Sequence, residues 1–297
     1  MTAPTLSPWL LATRPKTLAA SLGPVMLGTG LAAGLSPGPV PIGLAFLALA
    51  SALCIQIGSN LVNDAADFEK GADTEDRLGP TRVTQSGLLR GRHVMRGAAA
   101  LFAVAALLGI PLIRAGGAPI IVIGVLSIAA GYAYTAGPFP LAYLGLGEVF
   151  VLLFYGLAAV KGMAYVLTGT GLWPWAELAA LQTGLQSSAL LAVNNARDVE
   201  GDVRVGKRTL AVRFGSAFAR VEVAVLVAVP YLLGAGWIVA GRGWAAALPL
   251  ATLPIAWRLV RGVRSEAPSR KFNEFLAQTA LLQIVFCALA AIGLAIK

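Results

Sequence analysis

The sequence is poor in charge, in histidine and in cysteine. Asp, Glu, Lys and Arg make up 12% of its 297 residues, against about 25% in soluble globular domains. A single water-soluble globule of this size could not cover its surface with so few charges. A disordered chain is excluded as well, because 57% of the residues are hydrophobic. One histidine, His93, leaves little basis for a Ser-His-Asp triad or a histidine-rich metal cage. Two cysteines, Cys54 and Cys287, both lie inside apolar runs. There they read as packing groups, which argues against a disulfide-stapled secreted domain.

What the chain has instead is a series of apolar runs, each near the roughly 20 residues that cross a bilayer as a helix. Nine are read, at about 17–35, 41–63, 94–113, 117–136, 141–167, 173–195, 217–240, 243–260 and 273–296. Breakers separate several of them: Ser36-Pro37-Gly38-Pro39, Gly116-Gly117, Gly137-Pro138 and Gly169-Thr170-Gly171. The first run has no convincing small-residue cleavage site, so it is expected to stay as a helix rather than leave as a signal peptide. The expected fold is an all-α integral membrane protein, a single domain over 1–297.

The net charge of +9 would suggest nucleic acid as a partner of a soluble protein; here it follows from topology. With a cytoplasmic N-terminus, all 23 basic residues except Arg114, Lys161, Arg242 and Lys297 fall in cytoplasmic segments or the helix ends flanking them. Nine spans then put the C-terminus on the opposite side. Lys161 lies within the fifth span, either facing a polar cavity or snorkelling as a structural group. Tyr165, Trp173 and Trp175 are read as parts of an interfacial belt.

The 14 acids are unevenly spread. Asp64, Asp67, Glu69, Asp73, Glu75 and Asp76 form one cluster, and Asp198, Glu200 and Asp202 a second. Each cluster continues a polar stripe that starts inside an apolar helix. Gln56, Asn60 and Asp64 are spaced i, i+4, i+8, as are Ser59, Asn63 and Asp67, and Asn194, Asp198 and Asp202. Residues at this spacing share a helix face. Two such walls facing each other make a carboxylate-rich pocket at the cytoplasmic end of a central cavity.

Carboxylate and amide oxygens without imidazole or thiolate suit a hard cation, and magnesium typically bridges such carboxylates to a substrate's phosphates. Basic residues follow each cluster: Lys70, Arg77 and Arg82, then Arg204, Lys207 and Arg208. Acids for a metal beside bases for phosphate oxygens form a diphosphate site. Placed at the lip of a lipid-depth cavity, it fits a substrate with a diphosphate head and a long apolar tail, such as a polyprenyl diphosphate.

These stretches resemble a known family. Asn63-Asp-Ala-Ala-Asp67 with Asp73, and Asp198-Val-Glu-Gly-Asp202, resemble the two aspartate-rich motifs of the UbiA superfamily of intramembrane prenyltransferases. Within it, five strings are most similar to the MenA branch, the 1,4-dihydroxy-2-naphthoate polyprenyltransferases. They are Arg14-Pro-Lys-Thr-Leu18, Gln56-Ile-Gly-Ser-Asn-Leu-Val-Asn-Asp64, Gly71-Ala-Asp-Thr-Glu-Asp-Arg-Leu-Gly-Pro-Thr-Arg82, Tyr134 through Glu148, and Asn194 through Arg213. The first motif departs from the NDxxDxxxD of 4-hydroxybenzoate-type members: Gly71 takes the last position and Asp73 lies two residues on.

The resemblance implies a Mg2+-dependent transfer of a polyprenyl group to the naphthoate, with loss of CO2 and diphosphate, at the bacterial inner membrane. It implies Asp64, Asp67, Asp73, Asp198 and Asp202 as metal ligands. Lys70, Arg77, Arg82, Arg197 and Lys207 would serve the diphosphate, and Arg14, Lys16 and Asn60 would contact substrate. Asn63 and Asn194 would orient carboxylates or acceptor, and the Tyr134 ring would either steady cationic charge or anchor at the interface. Open alternatives are another acceptor for the same chemistry (4-hydroxybenzoate, homogentisate, haem or a chlorophyllide) and a secondary transporter. A transporter's acids belong near the bilayer midplane, whereas these sit at one edge.

Overall fold

The structure is a computed structural model and describes residues 7–73, 77–171 and 174–296. Glu75, Asp76, Trp173 and Lys297 lie outside the described residues. Among those described, the regular structure is entirely helical.

Helix α1 (Pro8–Thr13) and a short 3-10 turn (Pro15–Thr17) lead into α2 (Ala19–Leu35), bent by 50° to them. Then come α3 (Ile42–Glu69), α4 (Gly91–Gly116) and α5 (Ala118–Ala133). Helix α6 (Gly147–Val151) runs through a π-helical stretch, Leu152–Ala158, into α7 (Ala159–Thr168). Helix α8 (Trp175–Arg204) is the longest. It is followed by α9 (Leu210–Leu233), α10 (Ala235–Val239), α11 (Gly243–Ala247), α12 (Leu253–Ser265) and α13 (Phe272–Ala295).

Helix occupies each of the nine expected segments, but they are not alike. Six described helical stretches are long and apolar enough to cross a membrane, or seven if the bent α1/α2 pair counts as one span. Helix α5 is apolar but has only 16 residues. Helix α8 is long but polar: Gln182, Thr183, Gln186, Ser187, Ser188 and Asn195 are all buried within it. Such a helix is shielded from lipid by its neighbours, and its polar groups bond across the bundle. Gln182 donates to the Pro230 carbonyl at 2.8 Å and accepts from the Trp237 indole at 2.8 Å. Gln283 of α13 donates to the Ser187 hydroxyl at 2.7 Å.

Around α8 the core is built from small residues and branched aliphatics. Ala189, Ala192, Val193 and Ala196 meet Val223, Val227, Leu259, Phe272 and Leu282 from α9, α12 and α13. Cys287 is buried in a second cluster with Leu27, Leu31, Trp237 and Phe286; both cysteines are free thiols. Trp175 joins that cluster, its ring centroid 6.3 Å from that of Trp237, so it packs inward rather than serving only a belt. Lys161 sits 3.0 Å from Glu177 in the first turn of α8, so an ion pair stabilises its charge at depth.

A close helix crossing puts the π-helical stretch on α8. A Cβ at Gly156 would stand 2.6 Å from the Ala180 carbonyl oxygen and 3.0 Å from Gly184 Cα. Both are backbone and cannot move aside. Gly156→Val is therefore expected to lower stability by about 1–3 kcal/mol, read as a fall in melting temperature in detergent.

Candidate functional site

The C-terminal ends of α3 and α8 come together at one end of the bundle, and three connecting segments close over them. Both oxygens of Asp64 accept backbone N–H groups from the segment after the first motif, Val83 at 3.1 Å and Thr84 at 2.8 Å. Asn273 at the start of α13 donates to the Leu78 carbonyl at 2.9 Å and fixes the other end of that segment. The segment before α6 is tied to the one before α9, because Arg208 N–H donates to the Tyr143 carbonyl at 3.0 Å.

Beneath these segments lies a cavity of ≈ 750 Å³, within the size range of small-molecule sites. Its mouth is lined by Asp67, Asp198, Asp202, Arg14, Arg77, Arg82, Arg197 and Lys207. Its far end is apolar, formed by residues such as Leu112, Ile120, Met163 and Val166. The cavity thus joins a charged mouth to an apolar tunnel.

Asp67 is the hub of the mouth. It is buried and accepts from Arg82 at 3.1 Å, Lys207 at 3.4 Å and the Tyr143 hydroxyl at 3.0 Å. Lys207 also lies 3.8 Å from Asp202, so one ammonium bridges the α3 and α8 motifs. Tyr143 is held between cations, with Lys70 4.5 Å and Lys207 4.9 Å from its ring centroid. Burial, reinforced by Asp67, keeps the Tyr143 hydroxyl protonated far above the ordinary tyrosine range. Lys70 also donates to the Thr135 carbonyl, and burial draws its ammonium below the usual lysine value.

On α8, Arg197 is almost fully buried and spends its whole fork locally. It donates to Asp198 at 2.7 and 2.6 Å, to Asn194 at 2.7 Å and to Asn273 at 2.7 Å. Asn63 accepts from the Thr135 hydroxyl at 2.5 Å. Asn60 lines the cavity but donates to the Thr13 carbonyl at 3.0 Å, holding the α1/α2 bend. At that bend Arg14 takes a left-handed φ of 52°, uncommon outside glycine. Its Nη2 is buried on the cavity side without a hydrogen-bond partner, a donor placed for an incoming anion.

Four expected site residues stand elsewhere. Asp64 is one helical turn from Asp67 but rotated off the cavity wall, and its oxygens are committed to the backbone. In this structure its part is to anchor the covering segment. Asp73 is enclosed between Arg77, its direct partner, and Arg82, whose Nε lies 3.3 Å away, and it too is off the wall. Burial pushes its carboxyl up to about 6 against the pull of Arg77. Lys16 is exposed and away from the cavity. Lys70 reaches the site only through Tyr143 and Thr135. Tyr134 does line the cavity, close to Gly147, where a Cβ would come within 3.1 Å of its hydroxyl.

Sequence reading missed Tyr143, Glu148, Thr135 and Asn195. Tyr143, Glu148 and Thr135 lie on no polar stripe with helical spacing, and tertiary packing alone brings them to the site; Asn195 was legible in principle, since with Asp198 and Asp202 it is spaced i, i+3, i+7 on α8.

Among the described residues, no three Asp, Glu, His or Cys side chains converge on a point that could hold an ion. Even so, the donor set fits a hard divalent cation. Asp67 and Asp202 face each other across α3 and α8, all the acids of the mouth offer oxygen, and the Lys207 ammonium stands between two of them as positive charge.

Comparison with known proteins agrees with this site. The model of the UbiA prenyltransferase family matches residues 21–295. A 1,4-dihydroxy-2-naphthoate octaprenyltransferase of Mycobacterium tuberculosis is 37% identical over 292 residues, covering 96% of this chain and 95% of that protein. Among solved structures, a UbiA homologue from Aeropyrum pernix superposes with a TM-score of 0.70 at 18% identity, over 93% of this chain and 96% of that one. A UbiA homologue from Archaeoglobus fulgidus, bound to GPP and Mg2+, gives 0.64 at 17% identity, over 98% and 100%. With a family match over nearly all its length and a multi-pass helical fold to carry the site, the chain belongs to the UbiA prenyltransferase family.

Proposed function

We propose that the protein transfers a polyprenyl group from a polyprenyl diphosphate to 1,4-dihydroxy-2-naphthoate, releasing diphosphate and CO2 and giving demethylmenaquinol for menaquinone synthesis. The observation that carries this reading is the single cavity that joins a mouth of paired acids and bases to an apolar tunnel. The name of the mycobacterial relative supplies the acceptor. In this reading the mouth faces the cytoplasm from the inner membrane and the N-terminus is cytoplasmic, an orientation that the distribution of basic residues supports.

Asp67, Asp198 and Asp202 would hold Mg2+, which as a Lewis acid and template makes the diphosphate a better leaving group. Arg77, Arg82 and Lys207 stand where the diphosphate oxygens arrive, and the guanidinium forks suit paired phosphate oxygens. Arg14 offers its unpartnered Nη2 from the cavity wall. Tyr143 and Lys70 position Asp67 and Lys207. The apolar tunnel takes the prenyl tail and keeps water from the allylic carbon as its C–O bond opens. Tyr134 lines the cavity, where its ring would steady cationic charge at the allylic carbon.

The test is an assay on purified protein in nanodiscs with the naphthoate and a prenyl diphosphate, with Mg2+ or EDTA, read by mass. Magnesium-dependent demethylmenaquinone is expected. Diphosphate release without that product would transfer the reading to another phenolic acceptor. No consumption of prenyl diphosphate would overturn it.

A further inference from the structure

Glu148 stands apart from the other buried acids of the cavity. Asp67 and Asp202 each face Lys207, and Asp198 is gripped by Arg197. Glu148 is buried and lines the same cavity, yet no Lys or Arg among the described residues lies within ion-pair distance of it. Its partner is neutral: the Asn195 amide donates to Oε1 at 2.7 Å. Its main chain is fixed too, accepting from the Ser188 hydroxyl at 3.3 Å. The ionisable groups around it are Tyr134 at the end of α5, with Tyr155 of the π-helical stretch beside that tyrosine, and Glu222 on α9. None of these is a cation. An ionisable side chain kept inside a membrane-spanning stretch without a counter-charge is costly, and proton transfer is a common reason for such a group.

Resting on the reaction proposed above, we infer that Glu148 is a further catalytic residue, the carboxylate that takes the acceptor's hydroxyl proton and later returns it. The hydroxyl concerned is the one ortho to the ring carbon that carries the carboxylate. As its O–H proton moves to a Glu148 oxygen, the oxygen lone pair becomes a C=O bond. The displaced ring pair forms the C–C bond to the allylic carbon, and the C–O bond to diphosphate breaks with its electrons on diphosphate. The product of this step is a β-keto carboxylate. Its C–CO2 bond then breaks, the electrons restore the aromatic ring, and the same oxygen recovers the proton from Glu148.

The proton thus goes out and back, and the reaction releases none from this group. That matches its surroundings, because the carboxyl needs no route to water and no neighbouring base to relay through. The Asn195 amide holds one oxygen in place and leaves the other for the hydroxyl.

The experiment compares wild type with Glu148→Gln, which keeps the shape and the hydrogen bond from Asn195. Three quantities are read: coupled product, diphosphate release and prenyl alcohol. At pH 6.5 the variant is expected to lose coupling by about 100-fold or more. Its diphosphate release without acceptor should stay within about twofold of wild type. Raising the pH to 8.5 should restore much of its coupling, as the acceptor ionises on its own, while wild type changes little. Glu148→Asp should regain part of the rate at pH 6.5.

Coupling and diphosphate release that fall together, or parallel pH profiles for variant and wild type, would overturn the assignment. Failure of the naphthoate reading looks different: wild type would release diphosphate without coupling to naphthoate. The Glu148 comparison would then be made with the phenol that does couple.

Discussion

Alanine at Asp67 or at Asp198 is expected to lower kcat/KM by about 10³-fold or more, equivalent to ~4 kcal/mol of transition-state stabilisation. Asp67 is the acceptor for Arg82, Lys207 and Tyr143 at once. Its loss leaves two cations and a hydroxyl without their common partner and removes an oxygen from the α3 side of the metal position. Asp198 makes the equivalent contribution from α8. Both variants should still reach the membrane, because the apolar spans are untouched, and fluorescence-detected size exclusion checks this. Asp64→Asn supplies the contrast. Asp64 serves the backbone of Val83 and Thr84, so its variant should melt lower while keeping most of its turnover per folded molecule. Equal kinetic losses at Asp64 and Asp67 would mean that the covering segment, not the acid at the cavity wall, governs the rate.

Much of this arrangement is legible in the sequence, and for physical reasons. Helical spacing alone puts Asn60, Asn63 and Asp67 on the cavity side of α3, and of the basic residues beyond the motifs Arg77, Arg82, Arg204 and Lys207 line the cavity, while Lys70 and Arg208 do not. Spacing defines a face only to within a residue's turn, however, and so could not separate Asp64 from Asp67. One points into the cavity and the other into the backbone behind it. Hydropathy marks 173–195 as a span but does not show that α8 is a polar helix inside the bundle. That emerges only when the partners of its buried glutamines and serine on α9, α10 and α13 are seen. Lys161 was ambiguous for the same reason, since its partner Glu177 lies on a different helix. Tyr143 and Glu148 sit in a segment rich in turns and apolar residues. Their roles appear only when that segment folds against the ends of α3 and α8.

Arg197→Met is expected to cost about 3–5 kcal/mol of stability, because it breaks a buried charge network from one side. The arginine is almost fully buried and binds Asp198 with two nitrogens, while its remaining contacts reach Asn194 and Asn273. Asn273 in turn holds the Leu78 carbonyl, so one guanidinium couples the second aspartate motif to the segment that carries Arg77 and Arg82. Methionine fills the volume but leaves the Asp198 carboxylate, two amide groups and that tether without their donor. Activity should therefore fall further than the folded fraction does, by about 100-fold, because Asp198 is no longer held in place at the mouth. Lysine at this position keeps the charge but has a single ammonium that cannot bind all three partners at once. Arg197→Lys should restore solubility and melting temperature better than it restores turnover. Asn273→Ala severs the tether and removes one acceptor from Arg197 but leaves the grip of Arg197 on Asp198, so it should raise KM for prenyl diphosphate while changing kcat little. If Arg197→Lys instead matched wild type in both measures, charge alone would suffice at this position. The fork would then have no part in setting Asp198 against the diphosphate.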